Sequence, residues 1–185
     1  MTAIILGSAA GFLVCILAII ALRPVAVAIN LVDKPGGRKT HHGDVPIVGG
    51  IAMFLGLSVG LGLVNGDALR SDTFIAACGL LVVTGLLDDR FDLSPWLRLP
   101  AQSAATLLVV TQLFADSTFS FGNPLGFGEM DFHGLTAFAV ILFFVVGAIN
   151  AFNMLDGMDG LAGAVSLVAL SGISVLAFGG GQPFT

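Results

Sequence analysis

The chain has 185 residues, of which 56% are hydrophobic and 10% are charged, whereas roughly a quarter of the residues in soluble domains are charged. Its net charge of −5 leaves no basic surface of the kind that nucleic-acid binding requires. The composition therefore excludes an ordinary soluble domain and a nucleic-acid-binding protein, and it predicts an integral membrane protein.

Six apolar runs divide the chain, each near the length of about 20 residues that a helix needs to cross the bilayer. They lie near residues 2–22, 47–64, 73–87, 99–115, 134–151 and 161–178. The first run has no basic residue before it and no clear small-x-small cleavage site, so we expect it to remain as a helix. The predicted fold is all-α: one polytopic membrane domain over residues 1–185 with six transmembrane helices.

The basic residues indicate which side of the membrane each connection faces. Six of the seven Lys and Arg residues lie in the first and third connections. By the positive-inside rule these connections are cytoplasmic, and so is the fifth, whereas both termini lie outside.

The first connection combines glycines and prolines with basic side chains. The glycines and prolines disfavour a regular helix, and exposed backbone N–H groups together with Lys34, Arg38 and Lys39 are suited to binding phosphate. A solvated basic loop beside anionic lipid is the alternative.

The third connection begins with Asp88 and Asp89, directly after an apolar run. Adjacent carboxylates repel each other, and at the C-terminus of a helix they also oppose the helix dipole. A divalent cation relieves both effects, and oxygen ligands suit Mg²⁺. An acidic pair alone is nevertheless common in loops.

The fifth connection carries a polar residue at every third position: Asn150, Asn153, Asp156 and Asp159. On a helix this spacing makes one slowly winding polar stripe. Acidic groups beside lipid are costly, so they are functional candidates, whereas helix capping accounts for only one of the four.

Taken together, the cytoplasmic side offers two acidic clusters for a metal and one basic loop for phosphates. This combination suits transfer from a soluble phosphate-bearing donor to a lipid acceptor, a reaction that needs mainly charge neutralisation and positioning. A cation or proton transporter is an alternative of another class, but transport favours acids near the middle of several spans.

Three segments resemble, in order and spacing, the motifs of the bacterial polyprenyl-phosphate N-acetylhexosamine-1-phosphate transferases of glycosyltransferase family 4. They are the segment from Asp33-Lys-Pro to His41 and Gly50, the segment Asp88-Asp89-Arg90-Phe-Asp, and the segment Asn150-Ala-Phe-Asn-Met-Leu-Asp156-Gly-Met-Asp159. The undecaprenyl-phosphate N-acetylglucosamine-1-phosphate branch is the best match within that family.

The resemblance implies a Mg²⁺-dependent phosphoglycosyltransferase in the bacterial inner membrane, with Mn²⁺ able to replace Mg²⁺. Its reaction would transfer N-acetylglucosamine 1-phosphate from UDP-GlcNAc to undecaprenyl phosphate, release UMP and initiate a cell-surface polysaccharide such as the O-antigen. The partners implied are the UDP-sugar, the polyprenyl phosphate and the membrane, and a homodimer is left open.

The resemblance also implies roles for individual residues. The expected catalytic residues are Asp88, Asp89, Asp156 and Asp159. The expected metal ligands are Asp88, Asp89 and Asn153. The expected substrate-binding residues are Lys34, Arg38, His41, Arg98, Asn150 and Asp159.

The resemblance covers only the N-terminal half of a fold with roughly ten or eleven membrane spans. The later half of that fold carries a further metal-binding Asp and a His-rich sugar-recognition loop, so we expect the 185-residue chain alone to be inactive. Besides the transporter, two alternatives remain: an inactive lipid-binding remnant, and a phospho-MurNAc-pentapeptide transferase. The latter usually has Gly-Thr-Pro-Thr-Met-Gly-Gly where this chain reads Gly43-Asp-Val-Pro46-Ile-Val-Gly-Gly50.

Overall fold

The computed structural model describes residues 2–33, 45–64, 68–113, 119–120, 122, 126, 128, 130–155 and 160–179. Six helices account for most of these residues: α1 Thr2–Ala28, α2 Gly49–Leu63, α3 Ala68–Phe91, α4 Pro95–Leu113, α5 Gly134–Leu155 and α6 Leu161–Gly179. Two short antiparallel pairs complete the fold: β1 Val32–Asp33 with β2 Val45–Pro46, and β3 Phe119–Ser120 with β4 Asp131–Phe132. The expected all-α class and the six helices are confirmed.

Two of the described helices, α1 and α5, are long and apolar enough to cross a membrane. Helix α2 and the segment Leu161–Ala177 of α6 are shorter apolar helices, and the count of six membrane spans stays a prediction. Large apolar side chains such as Phe12, Leu17 and Ile20 are exposed along α1. Outward-facing apolar surface of this extent is what a helix in contact with lipid requires.

The chain divides into two compact units, residues 1–142 and 143–185. The second unit contains the C-terminal part of α5 and all of α6. A left-handed glycine, Gly160 with φ +75°, immediately precedes α6. Within α5, the rings of Phe143 and Phe144 meet edge to face at a centroid distance of 5.7 Å.

Helices α1 and α2 pack with their backbones in contact. A Cβ atom added at Gly56 would lie 2.5 Å from the carbonyl oxygen of Gly11, and one added at Gly7 would lie 2.7 Å from that of Gly60. Each helix therefore presents two glycines four positions apart, a spacing that allows close van der Waals packing between membrane helices. Helix α1 precedes the first connection in the sequence and helix α2 follows it, so this packed pair flanks the connection.

Helices α3 and α4 form a second packed pair, joined by only three residues. Asp92 adopts a left-handed conformation with φ +50°, and its N–H donates to the carbonyl oxygen of Asp88 at 2.8 Å, which ends α3. Pro95 then occupies the first position of α4, where its missing N–H costs nothing, and the carbonyl of Ser94 accepts from the N–H of Leu97.

Helices α3 and α4 both extend beyond the apolar runs that predict them. Asp88 and Asp89, expected in a connection, lie in the last turn of α3, and Arg98 lies near the start of α4 rather than before it. The reason is that the backbone N–H groups of residues at the end of an apolar helix still donate to carbonyls within the helix, whatever the charge of their side chains. The turn between the helices is therefore short, and the charged groups lie on regular backbone.

Candidate functional site

An ion pair joins the two helices at this turn. The Arg98 Nη1 atom donates to Asp88 Oδ2 at 2.8 Å, and the two side chains are 27% and 19% exposed, respectively. The short α3–α4 turn makes the contact possible, because it brings the start of α4 back beside the end of α3. A cation near a helix N-terminus and an anion near a helix C-terminus are each unfavourable for the helix dipole, and their pairing offsets both effects.

The second oxygen of Asp88 lacks such a partner. Asp88 Oδ1 is buried and has no hydrogen-bond partner among the described residues. A buried carboxylate oxygen without a donor is costly, by about 1–3 kcal/mol. A cation bound there would remove that cost, so this oxygen fits the expected role of Asp88 as a metal ligand.

The described residues do not form a complete metal cage. In the part of the chain that the structure describes, no group of three or more His, Cys, Asp or Glu side chains converges.

The first connection starts from a well-defined helix end. Asn30, with φ +57°, follows α1 in the left-handed conformation, and its N–H donates to the carbonyl of Val27 at 3.2 Å. The N–H of Leu31 donates to the carbonyl of Ala26 at 2.8 Å. These two bonds form a Schellman motif, in which Asn is the second choice after Gly at the left-handed position.

A short ladder then holds the two ends of the first connection side by side. The N–H of Ile47 donates to the carbonyl of Leu31 at 3.1 Å, and Val32 pairs with Pro46 in the β1–β2 register. Residues 34–44, which join the two strands, lie outside the described residues. The described geometry therefore fixes where this basic connection begins and ends.

One hydrogen bond links the base of the first connection to the end of α3. Arg90 Nη1 donates to the carbonyl oxygen of Asn30 at 2.7 Å, across 60 positions of sequence. A cavity of about 190 Å³ lies at this junction, and its lining residues are Asn30, Leu31, Val32, Ile47, Asp89 and Arg90. The structure thus brings the base of the first connection to the acidic end of α3.

The predicted site residues fall into three groups. Asp88, Asp89 and Arg98 lie together at the turn between α3 and α4. Asn150 and Asn153 lie on α5 in the second unit; Asn150 Nδ2 donates to the carbonyl of Val146 at 2.8 Å, and Asn153 is exposed. The remaining predicted residues lie outside the described residues: Lys34, Arg38, His41, Asp156 and Asp159.

Two residues of this site, Asn30 and Arg90, are not among the predicted ones. Arg90 stands within the acidic motif, but its charge alone does not indicate a partner. Asn30 carries a local signal, because Asn directly after an apolar helical run is typical of a left-handed helix end. Their contact itself has no sequence signature, since it joins two distant connections.

Comparisons with known proteins agree with the sequence motifs. The glycosyl transferase family 4 profile matches residues 73–183. A relative from Yersinia pestis, named undecaprenyl-phosphate alpha-N-acetylglucosaminyl 1-phosphate transferase, is 39% identical over 130 residues, which are 69% of this chain and 34% of the relative. No solved structure gives a significant match.

Proteins of the same name from two other bacteria show similar identity. The Escherichia coli K12 relative is 39% identical over 141 residues, covering 75% of this chain and 37% of its own length. The Haemophilus influenzae relative is 40% identical over 100 residues, covering 54% of this chain and 28% of its own length. In these alignments the chain spans about a third of the length of the relatives, which agrees with the expected partial resemblance.

Proposed function

We propose, because this chain belongs to glycosyl transferase family 4, that it supplies metal- and phosphate-binding groups to a membrane-embedded sugar-phosphate transferase. The reaction would move N-acetylglucosamine 1-phosphate from UDP-GlcNAc to undecaprenyl phosphate and release UMP. The names of the relatives support the lipid acceptor and the sugar. The initiation of a cell-surface polysaccharide, such as the O-antigen, belongs to the same proposal.

The observation that carries this proposal is the environment of the Asp88 carboxylate. One of its oxygens is neutralised by Arg98, while the other is buried and has no partner among the described residues. A purely structural ion pair would satisfy both oxygens or expose the second one to water. A carboxylate held on one side and unpartnered on the other is instead arranged to receive a cation.

Asp88 and Asp89 are the side chains that would hold Mg²⁺, with Mn²⁺ as a substitute and the amide of Asn153 as a further proposed ligand. The bound ion would neutralise the phosphate charge that builds up during transfer. Arg98 fixes the orientation of Asp88, and its remaining N–H groups are suited to a phosphate oxygen. Lys34, Arg38 and His41 are proposed to bind the donor from the first connection.

In the proposed reaction, an oxygen of the acceptor phosphate forms a bond to the phosphorus that carries the sugar. The bond between that phosphorus and the oxygen of UMP breaks, and UMP leaves with the electron pair. Asp88 and Asp89 are assigned to the catalytic set with Asp156 and Asp159, whereas Asn150 and Asp159 are assigned to the substrate. The protein's main contribution is to align the two phosphates and to balance their charge.

We place the acidic end of α3 and the first connection on the cytoplasmic side of the bacterial inner membrane. Support comes from the basic residues of the first and third connections and from the Arg90 contact, which joins these two connections. A soluble nucleotide-sugar reaches that side directly, while a lipid phosphate reaches it from the membrane. The site would therefore lie where the two substrates meet.

A donor-selection assay tests the proposal. Membranes containing the complete gene product would be incubated with undecaprenyl phosphate and Mg²⁺, and with either radiolabelled UDP-GlcNAc or radiolabelled UDP-MurNAc-pentapeptide. We expect labelled lipid and UMP only from UDP-GlcNAc, and no product after chelation of divalent cations. Product from the pentapeptide donor, or full activity without divalent cations, would contradict the proposal.

A further inference from the structure

Arg90 makes a contact that the metal and phosphate roles proposed above do not use. Its guanidinium donates to the carbonyl oxygen of Asn30 at 2.7 Å, and it is the basic residue in the last turn of α3. Asp89, its neighbour in sequence, is one of the proposed metal ligands. The same turn of helix therefore carries a proposed metal ligand and an anchor for a different part of the chain.

The carbonyl of Asn30, which accepts this bond, lies between the end of α1 and the start of β1. Asn30 is the left-handed residue of the Schellman motif, and only Leu31 separates it from β1. Leu31 accepts from Ile47, and Val32 pairs with Pro46 in the strand register that closes the first connection. Because the chain is regular on both sides of Asn30, a fixed position for this residue fixes the base of the whole connection.

The cavity at the junction lies between the two elements that this bond joins. Asp89 and Arg90 line it from α3, while Asn30, Leu31, Val32 and Ile47 line it from the base of the first connection. A water needs about 10–15 Å³ of such space, so this cavity of about 190 Å³ has room for several waters. A movement of the first connection away from α3 would open this cavity and separate its walls.

We propose that Arg90 is a positioning residue: it holds the base of the first connection against α3, so that groups on the first connection and the carboxylates of α3 act on the same substrate phosphates. This inference rests on the proposed function. A cation near a helix C-terminus also stabilises the helix itself. That general effect does not depend on the Asn30 carbonyl, and the two can be separated by experiment.

The first measurement is hydrogen exchange on the complete gene product in lipid nanodiscs, without ligand. Arg90→Gln should increase several-fold the exchange rate of the amides of Leu31 and Ile47, which define the base of the connection. Arg90→Lys, which keeps a cationic donor, should restore most of the protection. Arg23→Gln, at an exposed position of α1, removes one positive charge as a matched control and should leave both amides unchanged.

The second measurement is steady-state kinetics of the same variants with UDP-GlcNAc and undecaprenyl phosphate. Arg90→Gln should raise the KM for the donor by at least several-fold and leave the KM for the acceptor nearly unchanged, because the displaced connection is the proposed donor-binding one. Arg90→Lys should recover most of the loss. If Arg90→Gln does not accumulate in membranes, Arg90→Met, which keeps an unbranched side chain but has no donor, replaces it in both comparisons with the same expected changes.

The combined results separate the outcomes. Lost activity with unchanged exchange would overturn the proposal in favour of direct contact between Arg90 and substrate. Faster exchange with unchanged kinetics would also overturn it, since the bond would then be structural only. An inactive wild type would contradict the proposed function, and the exchange rates would still decide whether Arg90 holds Asn30. Faster exchange together with a raised donor KM, both reversed by lysine, is the result we expect.

Discussion

Arg98 Nη1 lies 2.8 Å from Asp88 Oδ2 across the three-residue turn that joins α3 to α4. The two residues are only ten positions apart, so the contact depends on that tight turn. The pair leaves Asp88 Oδ1 buried without a partner among the described residues. Arg98 thus acts on the candidate metal ligand directly, and the turn determines the geometry of the site.

Removal of Arg98 should destabilise the α3–α4 turn. Arg98→Gln leaves a partly buried carboxylate without its cation, so we expect the free energy of unfolding to fall by about 1–2 kcal/mol. Asp88→Asn combined with Arg98→Gln should lose less than the sum of the two single changes. Thermal unfolding in detergent of the four forms gives the coupling, and strictly additive losses would show that the pair contributes nothing.

The contact between α1 and α2 predicts different effects on stability for alanine substitutions at two glycines of α2. Gly56→Ala places a methyl group 2.5 Å from the carbonyl of Gly11, and the overpacking should cost about 1–3 kcal/mol. Gly62→Ala meets nothing within 4 Å and should be neutral, or stabilising by up to about 1 kcal/mol, because Ala favours the helix. Equal melting temperatures for the two variants would contradict the observed packing.

The proposed topology predicts different labelling of two exposed serines. Ser94 lies in the turn between α3 and α4, and Ser120 lies in β3 after α4. In a variant without Cys15 and Cys78, a membrane-impermeant thiol reagent should label Ser120→Cys on intact cells. It should label Ser94→Cys only after permeabilisation. The reverse pattern would overturn the cytoplasmic placement of the site.

The partial coverage of the relatives predicts that residues 1–185 form an incomplete site. Expressed alone, the chain should insert in membranes but form no GlcNAc-pyrophosphoryl-undecaprenol from UDP-GlcNAc and undecaprenyl phosphate. The physical reason is that the chain alone would lack the further metal-binding Asp and the sugar-recognition loop that the family resemblance implies. A loss of about 5 kcal/mol of transition-state stabilisation already slows a reaction some thousands-fold. Thin-layer separation of radiolabelled lipid product checks this, and product at the rate of the Escherichia coli relative would show that these helices suffice.

The sequence predicts the helices and an acidic pair directly after the third apolar run, because apolar run length and adjacent acids are local signals. It does not predict that Asp88 and Asp89 belong to the helix, since charges at the end of an apolar run are equally compatible with a loop. The Arg90 contact with Asn30 is also unpredictable, because it joins residues 60 positions apart through a backbone carbonyl that has no side-chain signature. The close packing of Gly11 on Gly56 likewise depends on tertiary structure.

Turnover and Mn²⁺ binding in matched aspartate variants test the central claim, that the carboxylates at the end of α3 hold a divalent cation for phosphate transfer. In the complete gene product, Asp88→Asn and Asp89→Asn should each lower turnover at least about a hundredfold, because neutralisation of transition-state charge is lost. Both should also weaken Mn²⁺ binding measured by electron paramagnetic resonance. Asp72→Asn, at an exposed position near the opposite end of the same helix, should leave turnover and binding unchanged. Near-normal turnover and Mn²⁺ affinity in both the Asp88 and the Asp89 variants would contradict the account.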